Sequence, residues 1–462
     1  MNRRKFIKTT SAAVAGTAIT GSLQGQANSN TEEQPNILFI ITDQQHSRMM
    51  SCTGNPWLNT PALDKLAEGG IRYERAYAAN PVCVPSRMGM ATGMMPARLG
   101  ALDNAGSKVK KLPTQASRHS MGKLMKRAGY DTFYGGKVHM SQELIPNNES
   151  GYDEFFRDQR EKLPAACVGF IKKKRENPFF AVASFINPHD ICFAYNAYKK
   201  REKMMPGVNE LYQQASKIPL ESLPPLPDNF KIPDKEPDAI SANGKTTAVT
   251  PSKTMRAEYD EREWRMYRWI YCRLTEEVDG HIGQILDGLN ESGQKDNTLV
   301  IFVSDHGDMD ASHGLASKGL FYEESVCVPL IMSHPKAIRG GQVSQSLVNI
   351  GLDILPTFCD FAGIKKPAHL LGQSLRTIDK FRPYVASENH WTRMIRSDRY
   401  KYCAYKDGEN RESLVDLGKD PGEMINLAQD KRSQAVLIHH RQYLKDWVSL
   451  TADEHGKEYL IA

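Results

Sequence analysis

The chain has 462 residues, 40% hydrophobic and 25% charged, with a formal net charge of +6. This composition excludes a disordered, collagen-like or coiled-coil protein and leaves room for one large α/β domain with a smaller one appended. Arg3, Arg4, Lys5 and Lys8 lie within residues 1–27, which hold no acid. The remainder is close to neutral, so no basic field argues for nucleic acid or a membrane surface as partner.

Residues 1–27 read as a targeting segment. Arg3-Arg4-Lys5-Phe6-Ile7-Lys8 resembles the twin-arginine export pattern, an apolar small-residue stretch follows from Ala12 to Leu23, and Gly25-Gln26-Ala27 offers a small-x-small cleavage site. The stretch is too short and too rich in Gly, Ser and Thr for stable membrane insertion, which takes about 20 apolar residues. A short N-terminal anchor is the competing reading. The expected location is outside the cytoplasm, periplasmic or extracellular.

Beyond it, short apolar runs alternate with helical stretches. Asn36–Thr42 is a near-continuous apolar run ending in Asp43. Pro61–Gly70 predicts a helix begun by Pro and ended by Gly, and Met121–Gly129 another with a Gly end. Thr132–Gly135 and Phe179–Phe185 predict strands. Leu220–Lys253, rich in Pro, Asp and Lys, predicts a long surface loop or insertion covering a cleft. Tyr267–Leu289 predicts a long helix, Thr298–Ser304 and Val326–Met332 strands, and Ile350–Phe361 an amphipathic helix. After about Lys380 short polar-aromatic segments, among them Tyr400–Tyr405 and Ser413–Asp416, predict a small antiparallel unit closed by a helix from about Arg432.

Buried strands alternating with helices predict an α/β fold: a doubly wound, mostly parallel central sheet with helices on both faces, plus a smaller C-terminal α+β subdomain with a short antiparallel sheet. The boundaries read as a targeting segment over 1–27, a catalytic domain over 34–380 and a C-terminal subdomain over 381–462. In such sheets the chemistry collects at the carboxyl ends of strands. Asp43 and Asp305 both stand at such ends and are expected side by side. The eight cysteines are scattered without a CxxC pair, so neither a zinc site nor a disulfide scaffold is indicated. Cys327 and Cys359 lie in apolar surroundings and are expected as buried thiols.

Cys83-Val84-Pro85-Ser86-Arg87, continued by Met90, Thr92 and Gly93, resembles the C-x-P-S-R signature of the type I sulfatases, of the alkaline-phosphatase-like superfamily. Further motifs follow in the family's order: Asp43-Gln44, Gly136-Lys137-Val138-His139, Pro188-His189, Ser304-Asp305-His306-Gly307-Asp308, Ser317-Lys318-Gly319, then Asp416-Leu417, Asp420-Pro421-Gly422-Glu423 and Asn426-Leu427. The resemblance spans the chain from Asn36 to about Leu427.

The resemblance implies that a formylglycine-generating (sulfatase-maturing) enzyme oxidises Cys83 to formylglycine, whose hydrate attacks sulfur and then expels sulfate. Arg87 would orient the hydrate, Lys137 and Lys318 would clamp the sulfate oxygens, His139 would be the base and His189 the acid. Asp43, Gln44, Cys83, Asp305 and His306 would bind Ca²⁺. Many members carry Asp-Asp and Asp-Asn where this chain has Asp-Gln and Asp-His, a departure that leaves Mn²⁺ as the alternative metal. Ser184 is expected to be structural, Asp308 to orient His306 or cap the next turn, and Ser317 to be a neighbour of Lys318.

The expected activity is that of an exported sulfatase acting on a sulfated glycan, a glycosaminoglycan or an algal polysaccharide. Asn389-His390-Trp391-Thr392-Arg393 offers an aromatic face, an imidazole and a cation as candidate sugar contacts, with Trp391 packing as the competing reading; Tyr195 is a further candidate. The alternatives are a phosphonate monoester or phosphodiester hydrolase or a small-ester (choline-type) sulfatase on the same fold, and a non-catalytic glycan-binding relative.

Overall fold

A computed structural model describes residues 34–194, 205–240, 255–378 and 382–461. Its centre is the run Asn36–Asp43 (β1), every residue of which is buried. Such a run has no polar face to offer water, so it settles only between two neighbours with helices above and below. Its parallel neighbours are β5 (Phe179–Pro188) and β6 (Thr298–Ser304), both also buried throughout.

Outward on one side, β5 pairs in parallel with β3 (Asp131–Gly136), which pairs with β4 (Glu154–Phe156). On the other side β6 pairs antiparallel with β7 (Cys327–Ser333) and β7 antiparallel with β2 (Ile71–Tyr77). The short β8 (Gln342–Ser344) and β9 (Val348–Asn349) complete that edge, both parallel to β2. The sheet is thus mostly parallel, as expected, with an antiparallel step at β7.

Alternate β1 side chains enter opposite cores. Ile37, Phe39 and Ile41 join Met88, Ile354 and Phe358 from the helices Cys83–Thr92 and Ile350–Phe361. Leu38 and Ile40 join Leu63, Phe170 and Ile282 from the helices Pro61–Glu68, Leu163–Ile171 and Glu261–Glu291. This double cover is the doubly wound arrangement.

The long helix begins at Glu261, a turn and a half before the apolar spacing suggested. Asp260 and Glu263 form a capping box, each carboxylate accepting from the other's backbone N–H. The added turns carry Trp264 and Met266, which with Val208 and Ala215 of the unanticipated helix Pro206–Ala215 build a third core. Residues 220–240 run without regular strands or helices beyond one short turn, as the insertion reading expected; residues 241–253 of that loop lie outside the described residues.

After residue 381 the chain forms an antiparallel sheet, β10 (Tyr384–Glu388), β11 (Thr392–Ser397), β12 (Tyr400–Tyr405) and β13 (Glu412–Asp416), covered by the helix Gln434–Thr451. All eight cysteines are free thiols, with Cys327 and Cys359 buried. Among the described residues no helix is long and apolar enough to cross a membrane.

One buried carboxylate ties the second core together. Asp279 of the long helix is 1% exposed and accepts from Ala62 N at 3.1 Å and Leu63 N at 2.9 Å, satisfying the open N–H groups of the Pro61–Glu68 helix. Asp279→Ala is expected to cost about 2 kcal/mol, read as a lower thermal midpoint, with activity per folded molecule unchanged.

Candidate active site

Four parallel strands deliver the site. Thr42 of β1 is in register with Ser304 of β6, so Asp43 and Asp305 emerge side by side at the carboxyl edge. Ser184 of β5 is in register with Gly136 of β3, and Lys137 and His189 leave just past those strands. Gly136 has φ +93°, and a Cβ there would meet Ser184 O at 1.9 Å, so only glycine brings Lys137 this close to β5.

Cys83 opens the helix Cys83–Thr92 at this edge and is fully buried. Its Sγ lies 3.1 Å from His306 Nε2, 3.0 Å from Lys318 Nζ and 3.7 Å from Asp43 Oδ1. One turn along the helix, Arg87 binds both carboxylates: Nε to Asp305 Oδ2 at 2.7 Å and one terminal nitrogen to Asp43 Oδ2 at 3.0 Å. The other terminal nitrogen donates to Ser184 Oγ at 2.7 Å, and Ser184 Oγ donates to Lys137 O at 2.7 Å. Lys137 Nζ reaches Asp43 Oδ2 at 2.6 Å.

Gln44, with φ 70°, turns its amide into the same cluster: Oε1 accepts from Lys318 Nζ at 2.7 Å, and Nε2 donates to Asp308 Oδ2 at 2.6 Å. Asp308 therefore grips Gln44, not His306; it also accepts from Tyr267 Oη at 2.9 Å and from Asp310 N at 2.8 Å, the turn cap that was expected. His306 is instead set by its own backbone, with Nδ1 2.9 Å from Gly307 O. A Cβ on Gly307 would meet Glu324 O at 1.9 Å, so glycine is required there too.

The matching sulfatase model covers residues 35–364, well over half of the chain. The chain belongs to the type I sulfatases, of the alkaline-phosphatase-like superfamily. It is a sulfuric ester hydrolase by family. A second model, N-sulphoglucosamine sulphohydrolase C-terminal, matches residues 311–449. The chain is 30% identical to the Delta 4,5-hexuronate-2-O-sulfatase of Bacteroides thetaiotaomicron, over 93% of this chain and 92% of the relative. It is 26% identical to the N-acetylglucosamine-6-O-sulfatase of the same organism, over 88% and 85%. A solved 2-O GAG sulfatase superposes with a TM-score of 0.77 at 29% identity, covering 92% of this chain and 94% of that one.

Sulfatases of this type generally use Ca²⁺ and formylglycine, and the donor set of this chain fits a divalent cation. Ligand atoms of Asp43, Cys83, Asp305 and His306 all lie within 4.8 Å of one another, and all four residues are buried. Burial and the neighbouring Asp43 push Asp305 up to about 6, the response of two carboxylates crowded in a dry site. Burial opposes ionisation of Asp43 as well, yet Lys137, His189, Lys318 and Arg87 carry it well below its usual value. Burial and Asp43 raise the Cys83 thiol, and Lys318, Lys137 and His306 outweigh them, leaving it well below the thiol range. The sulfur sits where an ionised group is stabilised.

His189 is half-buried, and its Nδ1 has no hydrogen-bond partner among the described residues. Burial and then Lys318 hold its imidazole below the usual value. His139 has φ 45° and is exposed. Cys192, which the sequence did not single out, touches Gln44 Nε2 at 3.2 Å. Its neighbourhood gave no signal because Gln44 and Cys192 are 148 positions apart.

The β10–β11 turn leans on the Lys318 loop, Asn389 Nδ2 donating to Gly319 O at 2.8 Å. His390 is exposed and Trp391 half-buried, their rings in edge contact at 5.4 Å. Arg393 departs from its expected role as a sugar contact. It is 1% exposed, paired with Asp453 at 2.7 Å and set over the Tyr459 ring at 4.2 Å, because β11 is covered on both faces. Tyr195 lies outside the described residues.

Beside it, Glu388 is fully buried, and burial pushes its carboxyl up to about 7, with Arg393 pulling down and Asp453 pushing up. The native state thus holds a proton that the unfolded chain releases at lower pH. This contribution to stability is present below the ordinary carboxylate range and is lost as pH rises through about 7. Glu388→Gln, which stays neutral, is expected to melt above wild type at about pH 8 and near it at about pH 4. Thermal midpoints of the two proteins that run parallel across that range would sink this reading.

Proposed function

We propose that the chain removes sulfate from a carbohydrate, a glycosaminoglycan fragment, and that Cys83 acts after oxidation to formylglycine by a sulfatase-maturing enzyme. The observation that carries this is the seat of Cys83: a helix N-terminus inside a buried two-carboxylate cluster, 3.0 Å from the Lys318 ammonium. The relatives' printed activities, on a hexuronate 2-O-sulfate and on N-acetylglucosamine 6-O-sulfate, support the substrate class.

Asp43, Gln44, Asp305 and His306 would hold the cation, Ca²⁺ by family or Mn²⁺, together with residue 83. That cation would supply Lewis acidity that favours the ionised form of an oxygen on residue 83. Arg87 keeps both carboxylates in place from one guanidinium, and Ser184 fixes the fork. Lys137 and Lys318 present ammonium groups where the charge of the sulfate oxygens concentrates. His189 stands to pass a proton to the leaving alcohol oxygen, and its lowered value makes the imidazolium a stronger acid that is the minor form near neutral pH. His139, exposed beyond Lys137, receives the proton released at residue 83. His390 and Trp391 contact the sugar from the β10–β11 turn.

The basic start of residues 1–27 supports export, to the periplasm or beyond, where a polymeric glycan is met. The absence of a basic field in the remaining sequence agrees with a substrate held by local contacts rather than long-range attraction.

The test is sulfate release from defined sulfated disaccharides, the hexuronate 2-O-sulfate first, by protein whose Cys83 peptide has lost about 18 Da. Cys83→Ala is expected to fold normally and to release no sulfate; activity near wild type would reject Cys83. Turnover of a phosphodiester with none of any sulfate ester would replace the sulfatase reading by the hydrolase alternative. His189→Ala is expected to slow sugar sulfates about a hundredfold or more and nitrophenyl sulfate far less, since a good leaving group needs no acid. Equal losses on both would remove His189 from the acid role.

A further inference from the structure

His189 follows the end of β5 in a tight turn. Its N–H donates to Ile186 O at 3.1 Å, its carbonyl accepts from Cys192 N at 2.9 Å, and that of Asp190 accepts from Phe193 N at 2.9 Å. The imidazole hydrogen-bonds Cys83 and so faces the reaction centre. A histidine that transfers protons is ordinarily aimed by a partner on its second ring nitrogen. Here Nδ1 is buried and has no hydrogen-bond partner among the described residues. With no such grip from behind, the ring takes its aim from the turn that carries it.

That turn is held from outside on both sides of His189. Ahead of it, Ile186 N donates to Gln159 O at 3.2 Å. Behind it, Asp190 is 3% exposed and receives the guanidinium of Arg160, Nε donating to Oδ2 at 3.0 Å and one terminal nitrogen to Oδ1 at 2.8 Å. A fork on a carboxylate fixes direction as well as distance, which a point charge does not.

Arg160 is anchored in turn. Its carbonyl accepts from Leu163 N at 3.2 Å, and Leu163 is the first residue of the helix Leu163–Ile171, fully buried in the second core. The contacts thus run from a packed helix through Arg160 and Asp190 to the turn of His189. Neither Arg160 nor Asp190 belongs to the cluster of Asp43, Cys83, Asp305 and His306.

We propose that Arg160, acting through Asp190, is a positioning residue for His189 and keeps its imidazole aimed at the leaving alcohol oxygen. The proposal rests on the acid role of His189 given above. A misaimed acid slows esters whose alcohol must be protonated and spares those with a good leaving group. It leaves substrate binding unchanged, so the loss falls on kcat rather than on KM.

The experiment measures kcat and KM of full-length protein, matured at Cys83, on the sulfated disaccharide it turns over fastest and on nitrophenyl sulfate. Arg160→Met is expected to lower kcat on the disaccharide about tenfold with KM within about twofold, and to leave nitrophenyl sulfate within about twofold of wild type. Combined with His189→Ala, it is expected to lower the disaccharide rate no further, since it acts through that imidazole. Asp190→Asn keeps the side-chain shape without the charge and is expected to show the same split, which keeps the test sound if Arg160→Met does not fold. Equal losses on the two esters, no loss on either, or an additive loss in the double variant would each overturn the proposal. Failure of the acid reading would show separately, as equal losses on the two esters in His189→Ala alone.

Discussion

The site depends on one buried guanidinium. Arg87 is 2% exposed and joins Asp43, the last residue of β1, to Asp305, the first residue past the adjacent parallel β6. Without that charge, two carboxylates crowded at one sheet edge would repel each other in a dry pocket, and one would take up a proton. Arg87 can reach both because it lies one turn beyond Cys83 on a helix whose first residue faces the same edge. Cys83 and the brace on the acidic cluster are thus fixed by a single turn of helix.

Around that brace the charges alternate in space. Lys137 and Lys318 approach from separate loops, one bound to Asp43, the other to Gln44 and Cys83. Their joint field lowers the thiol well below its usual range despite complete burial. The same field suits a transferring sulfate, whose oxygens carry the charge in the transition state. Gln44 and His306, which replace acidic and amide partners of the common pattern, are each held by neighbours: Asp308 grips the amide and Gly307 O the imidazole.

The strands most legible in the sequence were β1, β5 and β6, each buried throughout. β1, β5 and β6 read as continuous apolar runs because no side of them meets water. β2, with Arg72, Glu74 and Arg75 interleaved, gave no such run because one face is partly exposed. β10 and β11 escaped notice although almost wholly buried, because they mix buried polar with apolar residues. The Pro206–Ala215 helix lay near a segment too irregular in composition to suggest one. Arg393 misled because a cation beside Trp391 suggests a surface, whereas Asp453 and Tyr459 cover its face of β11.

By itself the sequence determined the chemistry on offer: which residue types stand at which strand ends, and that Cys83 opens a segment resembling the sulfatase signature. Those facts are local, set by burial of apolar runs and by helix starts a few residues long. Only the tertiary structure decided which of these groups touch. The Arg87 fork on Asp43 and Asp305, the Ser184 contact behind it, the hold of Asp308 on Gln44 and the inward turn of Arg393 join positions distant in the chain. Contacts of that kind depend on strand register and on the packing of helices across a sheet, which no local pattern of residues encodes.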